Sequence, residues 1–196
     1  MAKRAMDIAG AVFGLLFLCP LLPFIVIAIV IDSGFPIFVR LPRVSDGHII
    51  RVHKFRTMVK NAQELKESLL QYNERSDGPF FKMKDDPRVT KIGRLLRRFR
   101  LDEFPQFWDV LRGDLALVGP RPHEQVEVEQ YPPQFQRLTF AKAGLTGLSQ
   151  IMGASSLPFL KEVELDIYYL DHPSFWFDLK ILFKTVTIFF SDPTGV

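Results

Sequence analysis

The sequence predicts a mainly helical α+β protein that carries one small β-hairpin and lies at a membrane surface. Three observations predict this fold class: an uncharged apolar run over residues 8–31, hydrophobic residues at helical spacing through most of the remaining chain, and one pair of short β-branched segments separated by turn residues. The 19 phenylalanines, many of them near prolines or lysines, are typical of segments at a membrane interface.

Composition narrows the classes of function. The 196 residues favour one compact unit, and the net charge of +3 with a pI of 9.0 suits anionic lipid or phosphate partners. So small a net charge argues against a nucleic-acid-binding protein. The single cysteine, Cys19, excludes an intramolecular disulfide, so we expect the polar part of the chain in the cytoplasm.

The apolar run is long enough to cross a hydrocarbon core of about 30 Å as one helix. Pro20 and Pro23 lie in its middle, however, and a proline inside a helix removes a backbone hydrogen bond and clashes with the preceding turn. We therefore expect a bend at Cys19-Pro20. A cleaved signal peptide fits less well, because the run is too long and no small-residue cleavage site precedes Asp32.

Positive charge flanks both ends of this run. Lys3 and Arg4 precede it, and the basic residues that follow it are Arg40, Arg43, Arg51 and Lys54. Because cytoplasmic flanks carry an excess of Lys and Arg, both ends belong on the cytoplasmic face. A re-entrant helix that enters the membrane, breaks at Cys19-Pro20 and returns to the same face satisfies the length, the prolines and the charges. A kinked single span is the alternative.

Local patterns predict the next three elements. Residues 36–40 and 48–53, separated by Ser45-Asp46-Gly47, predict a hairpin. Apolar residues at helical spacing over residues 62–72 predict an amphipathic helix. Thr90 is the expected N-cap of a basic helix that suits a surface of lipid headgroups.

The C-terminal part predicts two more helices, separated by Pro173. The first follows from the helical spacing of Leu160, Val163, Ile167 and Leu170. The second covers the apolar run from Phe175 to Phe190, which contains Asp178, Lys180 and Lys184. Three charges make a second membrane span costly, so we expect this helix in the interface or packed on the core.

The densest group of charged side chains lies in residues 97–106, RRFRLDEFPQ. Pro105 is tolerated only in the first turn of a helix, so Asp102 or Glu103 is expected at the N-terminus of a helix that reaches Leu111 and ends at Gly113. Helix N-termini bind phosphate, and a carboxylate placed there is able to attack phosphorus. The adjacent carboxylate is suited to Mg²⁺, which takes few protein oxygens and shares substrate phosphates.

A purely structural interpretation explains the same residues. Asp102 would cap the helix, Glu103 would stabilise its dipole, and residues 97–100 would form a solvated surface. On spacing alone this alternative is the more economical.

Several segments, in this order along the chain, resemble the bacterial sugar transferases, which are monotopic polyprenyl-phosphate phosphoglycosyl transferases. They are residues 54–58 (KFRTM), 86–90 (DPRVT), 101–106 (LDEFPQ), 113–114 (GD) and 117–122 (LVGPRP). The resemblance extends over nearly the whole chain through Lys3-Arg4 with Asp7, the helix-breaking pair Cys19-Pro20, residues 144–147 (GLTG) and residues 164–166 (ELD). The chain is similar to the minimal catalytic form of the family.

The resemblance implies a re-entrant membrane helix over residues 1–35 and a catalytic domain over residues 36–196 on the cytoplasmic face of the bacterial inner membrane. It implies Mg²⁺ dependence, with Asp102 as the nucleophile that carries a covalent phosphosugar and Glu103 as the metal ligand. The reaction it implies is a ping-pong transfer of a sugar-1-phosphate from an NDP-sugar, most plausibly a UDP-sugar, to polyprenyl (undecaprenyl) phosphate. UMP is released, and polysaccharide or glycoconjugate synthesis begins.

Further roles follow from the resemblance and from residue chemistry. Phosphate contacts are expected from Arg121, Arg97 and Lys54, although ion pairing or solvation accounts equally well for the last two. Asp166 and Arg88 are candidates for substrate contact or for structural roles. At the lipid headgroups or in the membrane we expect Lys3, Arg4, Cys19 and Pro20. The histidines are expected to be structural, because a carboxylate and a phosphate monoester are already ionised near neutral pH.

The chain departs from the family's pattern at several positions, and two of these departures bear on function. Arg100 stands where the family often has serine, and Ala154 stands where many members have arginine after glycine. These departures leave open the alternative that the chain is a membrane-anchored protein that binds polyprenyl phosphate without turnover. A pyrophosphate-cleaving hydrolase that uses the same carboxylates is a further alternative, and it would need no lipid acceptor.

Overall fold

Two apolar helices at the N-terminus meet at a sharp bend. The computed structural model describes residues 2–153 and 156–191, in which α1 covers Ala2–Leu18 and α2 covers Leu22–Ser33. Their axes differ by 62°, and Pro23 lies in the first turn of α2, where a proline costs no hydrogen bond. The bend predicted at Cys19-Pro20 is confirmed. Within the described residues no helix is by itself long and apolar enough to span a membrane, whereas α1 and α2 together are.

Helices provide most of the regular secondary structure in the rest of the described chain, as predicted. The other α-helices of the described residues are α3 (Ala62–Leu69), α4 (Lys91–Arg98), α5 (Gln106–Arg112), α6 (Gln125–Val128), α7 (Leu148–Ile151), α8 (Phe159–Asp171) and α9 (Phe175–Ser191). Short 3₁₀ turns cover Leu70–Tyr72, Leu101–Glu103 and Pro133–Phe140. The Thr90 hydroxyl accepts a hydrogen bond from the Gly93 N–H at 2.9 Å, which confirms the predicted cap of α4.

The predicted hairpin is present and longer than the sequence pattern suggested. Strand β1 (Phe38–Ser45) pairs antiparallel with β2 (His48–Phe55). Asp46 and Gly47 connect the strands with φ angles of 56° and 74°. Two consecutive left-handed residues form the turn whose twist matches paired strands, and Asp-Gly is a favoured sequence for it.

A second strand pair was missed by the sequence analysis. Strand β3 (Ala116–Val118) lies parallel to β4 (Gly144–Thr146), and most of their residues are buried. A Cβ atom on Gly144 would overlap the backbone of Gly119, so this close approach requires glycine. Strands of three buried residues show no alternation of polar and apolar side chains, which is why the pattern gave no signal.

The core holds the segment between α4 and α5 against the N-terminal helices. Leu96 of α4 packs with Ile25 and Ile29 of α2 in one buried cluster. The ring of Phe107, on α5, lies against Gly14 of α1, where any larger side chain would overlap it. The chain from α4 to α5 is thereby fixed by both arms of the bent pair.

Charged groups at the start of α1 also have partners inside the protein. The Lys3 ammonium donates to Asp178 Oδ2 at 2.7 Å, to the Tyr169 hydroxyl at 2.9 Å and to the Val118 carbonyl at 3.0 Å. Arg4 donates to the carbonyls of Val110 and Leu111, both at 2.7 Å. The lipid contacts predicted for Lys3 and Arg4 stay predictions.

Helix α9 packs on the core along one face. Ile181 is fully buried, and Asp178 is buried against Tyr169 and Lys3. This packing confirms the prediction that the helix lies on the core or in the interface and does not form a second membrane span. Trp176 and Phe183 are largely exposed on another part of the helix.

Candidate active site

The two candidate carboxylates lie in a separate turn between α4 and α5. Asp102 and Glu103 belong to the 3₁₀ turn Leu101–Glu103, which follows Arg100 in the left-handed conformation with φ 52°. Helix α5 begins only at Gln106. The prediction that Asp102 or Glu103 lies at the N-terminus of this helix was therefore wrong. Pro105 has no N–H to donate to the Leu101 carbonyl, so the Phe104 N–H closes a tighter turn on that carbonyl at 3.2 Å.

The structural alternative for Asp102 is also wrong, because the N-cap of α5 is Pro105 and no side chain caps it. Asp102 is nevertheless buried. A buried carboxylate with no role as a helix cap requires another explanation.

Lys54, at the end of β2, approaches both carboxylates. Its ammonium lies 2.6 Å from Glu103 Oε1 and 3.9 Å from Asp102 Oδ2. The preceding residue fixes this strand to α5, because buried Asp109 accepts the His53 N–H at 2.8 Å and lies 2.6 Å from His53 Nδ1. The sequence analysis predicted a structural His53 but did not find Asp109, its partner, since 56 residues separate the two along the chain.

Two arginines also lie near the pair. Arg121 follows β3 and places Nη2 3.9 Å from Glu103 Oε1, while its N–H donates to Asp166 Oδ2 at 3.3 Å. Arg97, near the end of α4, donates from Nε to the Thr57 hydroxyl at 3.0 Å. The fold therefore brings Lys54 and Arg121, which are both distant in sequence, to the turn of Asp102 and Glu103.

The sequence matches the profile of a family described as bacterial sugar transferase over residues 1–192. A match over nearly the whole chain, together with the gathered motifs, decides the family. The chain belongs to the bacterial sugar transferase family.

Named relatives agree with this membership. The chain is 43% identical over 190 residues to the galactosyl transferase CpsE of Streptococcus agalactiae, covering 96% of this chain and 42% of the relative. It is 37% identical over 189 residues to a UDP-galactose-lipid carrier transferase of Erwinia amylovora, covering 95% and 40%. It is 34% identical over 190 residues to the exopolysaccharide production protein ExoY of Rhizobium meliloti, covering 95% and 84%. The chain thus spans about two fifths of the first two relatives.

The two candidate carboxylates have pKa values shifted in opposite directions. Burial raises the pKa of Asp102, and the nearby charge of Lys54 opposes the rise only in part. Burial also acts to raise the pKa of Glu103, but Lys54 and Arg121 outweigh it and lower that pKa to about 2. Glu103 is therefore ionised at any physiological pH, and Asp102 is more basic than an ordinary aspartate.

Two further residues, Asp166 and Arg88, were candidates for this site. Asp166 lies behind Arg121, and burial raises its pKa to about 7 against the opposing hydrogen bonds from Ser149 and the Arg121 N–H. Arg88 forms a buried ion pair with Asp86 at 2.6 Å and donates to the Ala62 carbonyl at 3.2 Å. These contacts are those of a structural residue. A substrate contact for Asp166 stays a prediction.

A partly buried polar cluster lies on the Asp166 side of the site and was not predicted. Arg75 bonds Asp77 at 3.1 Å and Glu162 of α8 at 3.3 Å, and the ring of His123 lies 4.3 Å from that of Phe80. Burial lowers the pKa of His123, so this histidine is neutral. The cluster joins the loop that precedes α4 to α8. Ala154, the other departure from the family pattern, lies outside the described residues.

The acidic pair suits Mg²⁺ better than zinc. Among the described residues no group of three or more His, Cys, Asp or Glu side chains is arranged to hold a metal ion. Mg²⁺ is commonly held by one or two carboxylates with substrate phosphates and water, whereas zinc sites need three or four protein ligands. Glu103, with Asp102 beside it, fits the first pattern.

Proposed function

We propose that this sugar transferase moves a sugar-1-phosphate from a UDP-sugar to undecaprenyl phosphate and so starts the assembly of a polysaccharide or glycoconjugate. The observation that carries the proposal is the site itself, in which one carboxylate with a raised pKa and one paired carboxylate lie near the basic side chains of Lys54, Arg97 and Arg121. The names of relatives support the substrates, since one Escherichia coli relative, 39% identical over 195 residues, is a UDP-glucose:undecaprenyl-phosphate glucose-1-phosphate transferase.

The first step is a displacement by Asp102. A carboxylate oxygen forms a bond to the sugar-bearing phosphorus of the donor, and the bond from that phosphorus to the bridging oxygen breaks. The bonding electrons leave with UMP. A carboxylate of raised pKa is the better nucleophile of the pair, because nucleophilicity rises with basicity.

The second step releases the phosphosugar to the lipid. An oxygen of polyprenyl phosphate attacks the same phosphorus, the bond to Asp102 breaks, and the carboxylate is regenerated with a lipid-linked diphosphosugar as product. Both attacking groups are already anions, so neither step transfers a proton to a general base.

The neighbouring residues position these anions and offset their charge. Lys54 and Arg121 keep Glu103 ionised, and Arg97 and Arg121 are placed to hold phosphoryl oxygens. Glu103 would hold Mg²⁺, which neutralises negative charge on a diphosphate when it is bound. His53 and Asp109 hold β2 so that Lys54 reaches the pair.

We further propose that α1 and α2 form a re-entrant hairpin on the cytoplasmic face of the inner membrane. Large apolar side chains are exposed on both helices, among them Phe13, Leu16, Phe24, Ile27 and Ile31. Exposed apolar surface of this extent is costly in water and favourable in lipid. An acceptor with a polyprenyl chain requires a site at such a surface.

The test is UMP release from a panel of UDP-sugars with Mg²⁺ and undecaprenyl phosphate. The native protein is compared with Asp102→Asn and with Asp171→Asn, a matched control whose carboxylate pairs with Arg137 on the exposed surface. Lipid-linked product from one donor, lost only in Asp102→Asn, supports the proposal. UMP release without lipid would indicate a hydrolase. Lipid binding without product from any donor would indicate a binding protein.

A further inference from the structure

Four basic side chains surround Asp102 and Glu103, and they divide into two kinds. Lys54 and Arg121 lie 2.6 and 3.9 Å from Glu103. Over residues 2–153 and 156–191, neither Arg97 nor Arg100 has a carboxylate within ion-pairing distance, and Arg97 bonds only the Thr57 hydroxyl. Partly buried guanidinium groups without an anionic partner give the site unmatched positive charge on one side.

Arg100 occupies an unusual backbone conformation. Its φ of 52° lies in the left-handed region, which few residues other than glycine adopt without strain. Its carbonyl accepts the Glu103 N–H at 3.4 Å, so the strained residue is part of the turn that carries the acidic pair. Its side chain leaves the backbone two residues before Asp102, at the N-cap of the 3₁₀ turn that carries the acidic pair.

The segments on both sides of Arg100 in sequence carry apolar side chains and adjoin the bent helix pair. Before it, Phe99 and Leu95 are 38% and 50% exposed, so they leave apolar surface uncovered on the segment that leads into Arg100. Helix α4 packs on α2 through Leu96. After it, the ring of Phe104 lies 5.9 Å from that of Phe17 on α1.

The surroundings of Arg121 are polar. Asp166 accepts its N–H, and Glu124, which lies three residues further on, pairs with Arg43 at 3.4 Å and with Lys66 at 3.0 Å. A water-soluble diphosphate suits such a surface. An amphiphile with a phosphate head and a hydrocarbon tail instead requires a cation beside apolar surface.

We propose that Arg100, with Arg97 beside it, binds the phosphate of the lipid acceptor, while Arg121 serves the nucleotide donor. The inference rests on the proposed function and divides its two phosphate substrates between two sides of the acidic pair. In the second step an anionic phosphate approaches an anionic acyl phosphate. Arg100 offsets the repulsion between them at the point of entry from the membrane side.

The test measures kcat/KM for each substrate in nonionic detergent without phospholipid. In a ping-pong reaction kcat/KM for the donor reports the first step alone, and kcat/KM for the acceptor reports the second. Arg100→Asn removes the charge, and asparagine tolerates the left-handed conformation. We expect kcat/KM for the acceptor to fall by about tenfold or more and that for the donor to stay within about twofold. Arg100→Lys should recover part of the loss.

Arg98→Asn is the matched control, because Arg98 is exposed at the end of the same helix and lies over the ring of Phe99. We expect it to change neither kcat/KM value. A fall confined to the donor, an equal fall for both substrates, or no change in Arg100→Asn would overturn the assignment. An effect seen only in vesicles that contain anionic phospholipid would show that Arg100 binds bulk headgroups, which also overturns it.

A binding measurement tests the role of Arg100 without requiring that the protein turn over any donor. Farnesyl phosphate in nonionic detergent is titrated into native protein, Arg100→Asn and Arg98→Asn, with tryptophan fluorescence as the readout. Weaker binding of about tenfold in Arg100→Asn alone supports the acceptor site even if no donor is turned over. Equal affinity in all three proteins contradicts it, and activity of the native protein then still supports the proposed function.

Discussion

The first turns of α1 and the turn that carries Asp102 both concentrate charge, but they treat it differently. In the first region each charged group has a partner: Lys3 bonds Asp178, Arg4 bonds two carbonyls at the end of α5, and Asp7 accepts the Leu117 N–H at 2.9 Å. Around Asp102, basic groups outnumber acidic ones. A charged group with a partner inside the protein holds one element against another. Basic groups in excess of their acidic partners repel one another and reduce stability, and they are retained where an anion binds.

The largest expected effect separates chemistry from folding at Asp102. Asp102→Asn should lower product formation by about a thousandfold or more, because the nucleophile is lost. Its thermal unfolding temperature should not fall. A carboxyl whose pKa is higher in the folded than in the unfolded protein makes folding less favourable once the pH exceeds the unfolded value, so removing it at neutral pH relieves that cost. If Asp102→Asn unfolds at a much lower temperature than the native protein, Asp102 stabilises the fold and the contrast with the first turns of α1 is wrong.

The second prediction concerns Arg121. Arg121→Ala should lower kcat/KM for the UDP-sugar by about a hundredfold, since one cation on the donor phosphates is lost, and should leave unfolding nearly unchanged because its side chain is partly exposed. Steady-state kinetics and thermal unfolding are measured on the same preparation. A loss of stability without a loss of kcat/KM for the donor would show that Arg121 has a structural role, as Lys3 has.

The third prediction concerns Lys3, where we expect a loss of stability with little loss of activity. Lys3→Met should lower the free energy of unfolding by about 2–3 kcal/mol, because buried Asp178 loses its cation. Activity per folded molecule should be retained. Combining Lys3→Met with Asp178→Asn should restore part of the stability, as removing both members of a pair costs less than removing one. Denaturant unfolding in detergent gives the free energies, and a double variant no more stable than Lys3→Met would contradict the pairing.

The smallest effect is a shift in pH dependence. Activity should fall as the pH is lowered through the raised pKa of Asp102, while Glu103, with a pKa of about 2, stays ionised. The Lys54 cation stabilises the Asp102 anion, so Lys54→Met should raise the pKa of Asp102 further and move the acid limb to higher pH. The measurement is kcat/KM for the donor against pH. A shift to lower pH would contradict the assigned sign.

Local sequence signals predicted several features correctly. The bend at Cys19-Pro20, the Asp46-Gly47 turn and the Thr90 cap each depend on residues that are close in sequence, where backbone sterics and short hydrogen bonds decide the conformation. The motifs of the family resemblance contain Lys54, Glu103 and Arg121, and the structure places Lys54 and Arg121 2.6 and 3.9 Å from Glu103. Motifs that are far apart in sequence therefore indicated side chains that lie together, and the roles expected of these residues stay predictions.

Contacts between residues that are far apart in sequence were not predicted from the sequence patterns. Lys3 and Asp178 are 175 residues apart, and β3 and β4 pair through three residues each, so neither contact leaves a periodic signal. The turn at Asp102 was misplaced because its start depends on the left-handed Arg100, and arginine has no special preference for that conformation. The partners of Lys3 show that a basic residue beside an apolar segment is not thereby a lipid contact.

The packing of α4 on α2 connects the bent helix pair to the acidic turn. Leu96 shares a buried cluster with Ile25 and Ile29, and at the other end of α4 the Asp32 carboxylate accepts the Ile92 N–H at 3.0 Å. Contacts at both ends of α4 therefore set the spacing between α2 and the carboxylates. In the proposed orientation, any change in how deeply the hairpin sits would move the acidic pair by the same amount relative to the lipid headgroups. Bilayer thickness would then become a variable of the transfer rate, measurable in vesicles of graded acyl-chain length.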